Sequence, residues 1–316
     1  MALFTVSSNG YTILWLFYCS LPEERKLSQT KDKIVVSVIM TTYNHEAYIK
    51  RAVTSVLDQE TNFVFEIIIG NDASNDLTSQ IISAISAEYP RVIKLIDRPR
   101  NIGASANLYD MLMQAQGKYI AILDGDDFWV SRRKLQKQVD FLEDHREYIG
   151  CTHACSLVDS WGLPTNEPEP DWICRKSTYG LDDFKGYILP GQPSTMVFRN
   201  IFAESKHDHS IIQNAHRMIA DRTLTVCLSV NGMFRRFDEP MSCYRISHSS
   251  NATAVLYENN IESGLVDIDL AKKIEKFLWQ EYGVRKRYFV YCLKTRVKYY
   301  IKKCLRKVWP SSFQRH

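Results

Sequence analysis

Three carboxylates directly follow an apolar stretch near the middle of the chain. Residues 119–123 are apolar, and Asp124, Asp126 and Asp127 come immediately after them. Carboxylates this close together repel one another unless a cation lies among them. Ligation by oxygen atoms alone, with room left for phosphate oxygens, suits Mg²⁺ or Mn²⁺. The pattern therefore predicts a divalent metal site, although Asp and Gly are also common in turns that have no such role.

The segments before these acids indicate which elements position them. Apolar, β-branched runs at 34–40, 65–69, 92–96 and 119–123 alternate with helical stripes. This alternation predicts an α/β fold with a mostly parallel sheet. Open sheets of this kind bind ligands at the carboxyl ends of their strands. We therefore expect the polar residues that follow the strands to share one crevice, namely Thr42, Asn71, Asp72, Asn107 and Asp124 to Asp127.

Composition indicates a globular protein with one large domain, or one domain with an appendage. The chain has 316 residues, of which 45% are hydrophobic and 12% aromatic. Residues 285–316 hold 11 Lys or Arg and no Asp or Glu, and subtracting those 11 from the net charge of +4 leaves −7 for residues 1–284. The basic charge thus belongs to a tail, which argues against a nucleic-acid-binding protein.

The cysteines and the N-terminal residues favour a cytoplasmic protein. Eight scattered cysteines and no convincing secretory signal indicate a reducing compartment. Cys151, His153 and Cys155 could form part of a zinc site, but their alternation fits a buried strand better. The apolar run 11–19 is too short to span a bilayer and lacks a preceding positive charge. It fits an added strand, a docking segment or a stretch translated upstream of the true start.

The second half of the chain is less regular than the first. A long segment rich in Pro and Gly, 161–193, is either a lid over the crevice or a surface insertion. Further strands are predicted at 150–159, 195–198 and 234–244, and helices at 218–228 and from 261 onward.

Six sequence motifs together resemble those of family 2 glycosyltransferases, which have the GT-A fold. They are VIMTTYN (38–44), GNDASND (70–76), NIG (101–103) with a later Asn, LDGDDFW (123–129), KLQKQ (134–138) and YRISH (244–248). The resemblance covers residues 34–250. It implies a Rossmann-like, mostly parallel sheet flanked by helices. It also implies transfer of a sugar from a nucleotide-diphosphate donor to an acceptor hydroxyl, with inversion at the anomeric carbon, as in bacterial cell-surface polysaccharide transferases.

The resemblance also implies a donor site. Thr42 and the backbone around Tyr43 and Asn44 would approach the nucleotide, and the pair Asn71 and Asp72 would read the base and ribose. The family usually has an acid where this chain has Asn71, so the base that is read stays open. Asp124 and Asp126 match the Asp-x-Asp element that holds the ribose and the metal, and Asp127 would share either role. The expected donor-binding set is completed by Asn101, Asn107 and Arg245.

Three further residues acquire roles from the resemblance. Asp221 stands where the family places its catalytic base at a helix start, although an Asp there could simply accept from free helix amides. His248 would ligate the metal, at a spacing one residue longer than the commonest form. Arg245 would contact pyrophosphate or pair with a structural carboxylate.

The basic tail predicts contact with a membrane. Residues 290–309 carry apolar side chains at helical intervals with Lys and Arg between them. Such a helix suits an anionic bilayer surface, where lipid-linked glycan acceptors would lie. The alternative is a terminal helix docked on the domain. We expect an N-terminal extension (1–30), a GT-A domain (31–250) and a helical, basic C-terminal region (251–316) at the inner face of the cell membrane.

Two alternative functions keep the same fold. A sugar-phosphate nucleotidyltransferase would carry a Gly-rich, basic phosphate loop after the first strand, and residues 41–45 are not such a loop. A non-catalytic nucleotide-sugar-binding protein would keep the donor site without turnover.

Overall fold

The structure is a computed structural model that describes residues 33–203, 205–246, 260–294 and 297. Within these residues the strands are β1 (Val36–Thr42), β2 (Phe65–Asn71), β3 (Ile93–Asp97), β4 (Tyr119–Asp124), β5 (Phe128–Trp129), β6 (Tyr148–Val158), β7 (Thr178–Tyr179), β8 (Val197–Arg199) and β9 (Met233–Arg245). The helices are α1 (Ile49–Leu57), α2 (Thr78–Glu88), α3 (Ala104–Gln114), α4 (Lys134–Asp144), α5 (Ile211–Asn214), α6 (Asp221–Ser229) and α7 (Asn260–Tyr282). Single turns of 3₁₀ helix occur at Leu181–Asp183 and Pro193–Thr195.

The strands described form one sheet in the order β3-β2-β1-β4-β8-β6-β9-β5, and β7 pairs with β9. The first four run parallel, as predicted. Their registers align the strand ends, because Thr42 lies opposite Asn71 and Thr41 lies opposite Asp124. The polar residues that follow these strands are therefore brought to one edge.

The other half of the sheet is mixed. β8 runs antiparallel to both β4 and β6, and β5 runs antiparallel to β9. β9 runs parallel to β6, with a register shift between His153 and Cys155. The short strands β5 and β8 pair antiparallel with their neighbours, and antiparallel pairing does not require a crossover helix.

Hydrophobic side chains fill both faces of the sheet, which explains the continuous apolar runs. In β4, Ile120 and Ile122 face one core together with α3, α6 and α7, whereas Tyr119, Ala121 and Leu123 face the other together with α1 and α4. Helix α7 places Leu270, Ile274 and Leu278, four residues apart, in the first core. The predicted C-terminal helix therefore begins by packing on the sheet domain.

Several predictions fall outside the residues that the structure describes. These are the N-terminal extension 1–30, His248 and most of the basic helix 290–309, of which 290–294 and 297 are described and helical. The proposed domain boundaries stay predictions. In the described part of the chain, no helix combines the length and the apolar character needed to cross a bilayer.

The long segment 161–193 is attached to the sheet. Arg236 of β9 donates to Glu169 at 2.6 Å, and both side chains are largely buried. The backbone N–H of Cys155 also donates to Glu169, at 3.2 Å. The lid and the surface insertion both stay predictions for this segment.

Candidate active site

The acid-rich turn begins at the last residue of β4 and is held by β1. The backbone N–H of Gly125 donates to the carbonyl of Thr41 at 2.8 Å, and the Thr41 hydroxyl donates to Asp124 Oδ1 at 2.6 Å. A Cβ atom on Gly125 would lie 2.7 Å from Thr42 Oγ1 and 2.8 Å from His45 Nδ1. The turn therefore favours glycine at this position, because a side chain would collide with the side chains of Thr42 and His45.

The carboxylates of Asp126 and Asp127 have different surroundings. Asp127 is only 1% exposed, and its Oδ1 accepts from the backbone N–H of Arg245 at 2.9 Å. Its Oδ2 accepts from Gln192 Nε2 and from Ser194 Oγ, both at 2.7 Å. The side chain of Asp126 is 23% exposed. Asp127 is thus anchored by the protein, whereas Asp126 can reach a ligand in the crevice.

The crowding of these acids shifts their protonation. Burial raises the pKa of Asp124 to about 6; the charge of Asp126 and that of Asp221 act in the same direction, and the Thr41 hydrogen bond opposes them. Burial, followed by the charges of Asp126 and Asp124, raises the pKa of Asp127 well above its usual value. A cation beside the turn would offset this repulsion.

The donor set of the turn fits Mg²⁺ or Mn²⁺ bound together with a diphosphate. Among the side chains that the structure describes, no three His, Cys, Asp or Glu converge closely enough to enclose a metal ion. Mg²⁺ in enzymes is commonly held by one or two carboxylates, with phosphate oxygens and water completing the shell. Asp124 and Asp126, both partly exposed, supply such a pair.

Asn71 and Asn107 are buried and hydrogen-bonded within the protein. Asn71 Nδ2 donates to Asp97 Oδ1 at 2.8 Å, while its Oδ1 accepts from Ser74 Oγ at 2.5 Å. Asn107 Nδ2 donates to the carbonyl of Gly70 at 2.8 Å. These contacts hold the ends of β2 and β3 and the start of α3 together. The donor-binding roles of both residues stay predictions.

Asp72 organises the loop that leads into α3. Its carboxylate accepts from the backbone N–H groups of Ile102 and Gly103 at 2.8 and 2.9 Å, and Asn101 Nδ2 donates back to its carbonyl at 3.0 Å. Gly103 has a φ of +95°, a conformation that favours glycine. Arg217 donates to Asn101 Oδ1 at 2.5 Å, which ties the approach to α6 to this loop.

The loop after β1 carries the next predicted donor-binding residues. Thr42 Oγ1 lies 3.1 Å from His45 Nδ1, and the side chain of Tyr43 is exposed. Asn44 has a φ of +56°, and its Oδ1 accepts from the backbone N–H of Asn75 at 3.0 Å. The loops after β1 and β2 are therefore joined, and they form one wall of the crevice.

Asp221 is the first residue of α6. Its Oδ1 accepts from the backbone N–H of Arg222 at 2.8 Å, as expected of an acid at a helix start. Burial raises its pKa, while the charge of Arg222 opposes that shift. The charge of Asp221 also raises the pKa of Asp124, so the two carboxylates are near enough to interact electrostatically.

Arg245 is buried and joins two loops. Its Nε donates to the carbonyl of Asp126 at 2.9 Å, and its Nη1 donates to the carbonyls of Asp159 and Ser160 at 2.7 and 2.9 Å. Its Cζ lies 4.1 Å from the centroid of the Tyr48 ring. The guanidinium hydrogen bonds described are thus with main-chain carbonyls, and the predicted pyrophosphate contact stays a prediction.

Four residues of the site were not singled out from the sequence. His45 Nε2 lies 4.0 Å from Asp126 Oδ2, and Tyr244 lies close enough for the nearby acids to raise its pKa, second to burial. Both belong to or adjoin motifs already quoted. Gln192 and Ser194 carried no such signal, because they arrive at the turn through the long segment 161–193.

The family can now be decided by comparison with known proteins. The model of the family "Glycosyl transferase family 2" matches residues 37–206, which is more than half of the chain. The chain belongs to glycosyl transferase family 2.

Curated relatives of this family 2 protein include an uncharacterised protein of Mycobacterium tuberculosis, 39% identical over 211 residues. That match covers 66% of this chain and 58% of the relative, so the chain spans a little over half of that protein's length. The putative teichuronic acid biosynthesis glycosyltransferase TuaG of Bacillus subtilis is 39% identical over 173 residues, covering 54% of this chain and 64% of TuaG.

Among solved structures, S. aureus TarS in complex with UDP has a TM-score of 0.52 at 20% identity, covering 78% of this chain and 72% of TarS. This likeness confirms the predicted GT-A fold.

Proposed function

We propose that this family 2 protein transfers a sugar from a nucleotide-diphosphate donor to an acceptor hydroxyl, with inversion at the anomeric carbon. The acids Asp124 and Asp126, together with Asp221, carry the proposal. The first two lie at and just after the end of β4, and Asp221, the first residue of α6, is near enough for its charge to raise the pKa of Asp124. An inverting displacement needs two functions. A positive charge beside the leaving group stabilises the negative charge that develops there, and a base beside the nucleophile takes up its proton.

The donor would lie with its nucleotide over the ends of β1, β2 and β3. Thr42, Tyr43 and Asn44 would bound the nucleotide on one side, and the loop of Asn101 on the other. Asn71, Asp72 and Asn107 support these walls through their hydrogen bonds. The structural neighbour TarS has been solved with UDP and with UDP-GlcNAc, so uridine nucleotides are the first donors to test.

Asp124 and Asp126 would hold Mg²⁺ or Mn²⁺ between themselves and the diphosphate, with His248 as a further ligand. A bound cation would offset the negative charge that develops on the leaving diphosphate. Asp127 would hold the metal-binding turn in place and would not ligate the metal itself. Its carboxylate accepts hydrogen bonds from Gln192, Ser194 and the backbone N–H of Arg245. Arg245 would support the turn through its hydrogen bond to the carbonyl of Asp126 and would contact the pyrophosphate.

Asp221 would be the general base. Its raised pKa favours proton uptake, and the acceptor hydroxyl would donate to its carboxylate. The acceptor oxygen would then attack the anomeric carbon from the side opposite the diphosphate. The Arg222 amide, which donates to Oδ1 of Asp221 at 2.8 Å, would help to hold the carboxylate in place.

The acceptor would be a glycan, or a lipid-linked precursor of a cell-surface polysaccharide. TuaG, a relative, is named for teichuronic acid biosynthesis, and lipid-linked acceptors lie at membranes. The 11 basic residues of 285–316 would hold the enzyme at the inner, anionic face of the cell membrane.

A thermal-shift screen tests donor binding. UDP-, GDP- and dTDP-sugars would be added with and without Mn²⁺, and a ligand at a hundred times its dissociation constant should stabilise the protein by about 2.7 kcal/mol. We expect stabilisation that needs both nucleotide and metal. Failure of every nucleotide sugar to stabilise the protein would contradict the proposal.

The variant Asp221→Asn tests the base. It should keep the metal-dependent thermal shift that the donor produces, and its rate of sugar transfer should fall by about 10²–10⁴-fold. Asp238→Asn, at an exposed position of β9, is the matched control and should keep both. Normal transfer by Asp221→Asn would remove Asp221 from the mechanism, and absence of turnover in the unaltered protein would favour a binding role.

A further inference from the structure

A tight turn after β6 presents an exposed tryptophan. Asp159 Oδ1 accepts from the backbone N–H groups of Trp161 and Leu163, both at 2.9 Å, and the N–H of Gly162 donates to the carbonyl of Asp159 at 3.0 Å. Trp161 is 85% exposed and Leu163 is 62% exposed. A side chain of this size on a rigid, hydrogen-bonded turn contributes almost nothing to the core, so its apolar surface is available to a ligand.

The turn is connected to the metal-binding turn. The guanidinium group of Arg245 donates to the carbonyl of Asp126 with one nitrogen and to the carbonyl of Ser160 with another. Ser160 precedes Trp161 directly, so one buried side chain bridges the two turns. The main chain next to Trp161 is therefore joined to the turn that carries the acids.

A second arginine packs between the same two turns. A Cβ atom on Gly162 would lie 2.6 Å from Arg51 Nη1, so Arg51 touches the turn directly. The Cζ of Arg51 also lies 3.4 Å from the ring centroid of Phe128, the residue that follows Asp127. Gly162 has a φ of +80° and leaves room for this contact.

The order of the strands in the sheet indicates which of the two substrates would lie near Trp161. The nucleotide-side loops follow β1, β2 and β3, whereas the Trp161 turn follows β6, and β4 with its acids lies between the two groups. A donor that places its diphosphate at the acids and its nucleotide over β1 to β3 leaves the β6 side to the second substrate.

We propose that Trp161 is a stacking platform for a pyranose ring of the acceptor glycan, held beside the metal turn by Arg245. A pyranose has one face of C–H groups, and the flat indole surface matches it in size and polarity. The inference rests on the proposed function and adds an acceptor subsite to it.

A titration followed by ¹⁹F NMR tests the platform without needing turnover. The full chain is labelled with 5-fluorotryptophan, and the Trp161 signal is assigned with Trp161→Phe. Methyl glycosides of glucose, galactose, mannose and N-acetylglucosamine are added to the protein alone and with UDP and Mg²⁺. We expect at least one glycoside to shift the Trp161 signal saturably. The signal of Trp279, a half-exposed tryptophan on α7, should not move.

Two outcomes of this titration would overturn the platform. The first is that no glycoside shifts the Trp161 signal. The second is that vesicles of phosphatidylglycerol and phosphatidylcholine shift it while the glycosides do not, which would make the turn a lipid contact.

Steady-state kinetics with the glycoside that shifts the signal distinguish an effect on acceptor binding from an effect on donor binding. Trp161→Ala should raise the acceptor KM about tenfold, and Trp161→Phe should recover most of that loss. Donor affinity and donor hydrolysis should stay unchanged in both variants, and Trp279→Ala should behave as the unaltered enzyme. An equal loss of donor affinity in Trp161→Ala would overturn the assignment. Lack of donor binding by the unaltered protein would instead contradict the proposed function, while the NMR titration still decides sugar binding.

Discussion

Asp126 and Asp127 are neighbours in the chain, yet replacing each with asparagine should have opposite consequences. Asp127 accepts from three donors, and the backbone N–H of Arg245 among them cannot turn away. In Asp127→Asn the new amide can accept on one side only, so at least one donor loses its partner whichever way the amide is oriented. Such a loss costs about 1–3 kcal/mol in a buried site. For a chain of this size, that lowers Tm by roughly 1.5–5 °C.

Asp126 is partly exposed, and its charge contributes to the raised pKa values of both Asp124 and Asp127. Asp126→Asn should therefore leave Tm, measured without metal, unchanged or slightly raised. The same variant should lose the extra stabilisation that Mn²⁺ and UDP give to the unaltered protein, because the proposed metal ligand is gone.

Differential scanning fluorimetry of both variants, with and without Mn²⁺ and UDP, measures the two effects together. We expect Asp127→Asn to have a lowered Tm and to keep the Mn²⁺ response. We expect Asp126→Asn to have an unchanged or slightly raised Tm and to lose the Mn²⁺ response. If Asp127→Asn keeps the Tm of the unaltered protein and loses the Mn²⁺ response, the division of roles is wrong.

Two further predictions concern buried charges away from the crevice. Burial lowers the pKa of Lys134 to about 7, whereas the unfolded chain keeps this lysine protonated to higher pH. Above pH 7 the unfolded state therefore binds more protons than the folded state, so the free energy of unfolding should rise with pH. Between pH 7 and 8, urea unfolding should show a rise of up to about 1.4 kcal/mol relative to Lys134→Met. Parallel pH profiles of the two proteins would refute this. Arg236→Met should cost about 3–5 kcal/mol because it leaves the largely buried carboxylate of Glu169 without its cationic partner. Lys118→Met, which breaks an exposed pair, should cost under about 1 kcal/mol, and equal losses would contradict the burial argument.

The parallel half of the fold was predictable because its physics is local. Continuous β-branched runs followed by helical stripes leave few alternatives to a parallel sheet, and the polar residues after each strand then share an edge. The structure confirms this for Thr42, Asn71 and Asp124, whose strands align in register. The short strands β5 and β8 have too few residues for a periodicity, so their antiparallel pairing could not be deduced.

The hydrogen bonds around the site could not be predicted, because they join residues far apart in the chain. Gln192 and Ser194 meet Asp127 through a long segment with no periodic pattern. Arg245 was assigned to a phosphate or a carboxylate, but a guanidinium group satisfies carbonyl oxygens equally well, and spacing does not distinguish these partners.

The most direct test of the account is a crystal of the full chain grown with Mn²⁺ and UDP, with the metal located by its anomalous scattering. The account predicts one Mn²⁺ bound between the carboxylates of Asp124 and Asp126 and the diphosphate, with the nucleotide over the ends of β1 to β3. A metal and nucleotide bound away from the residues 124–127 would contradict it.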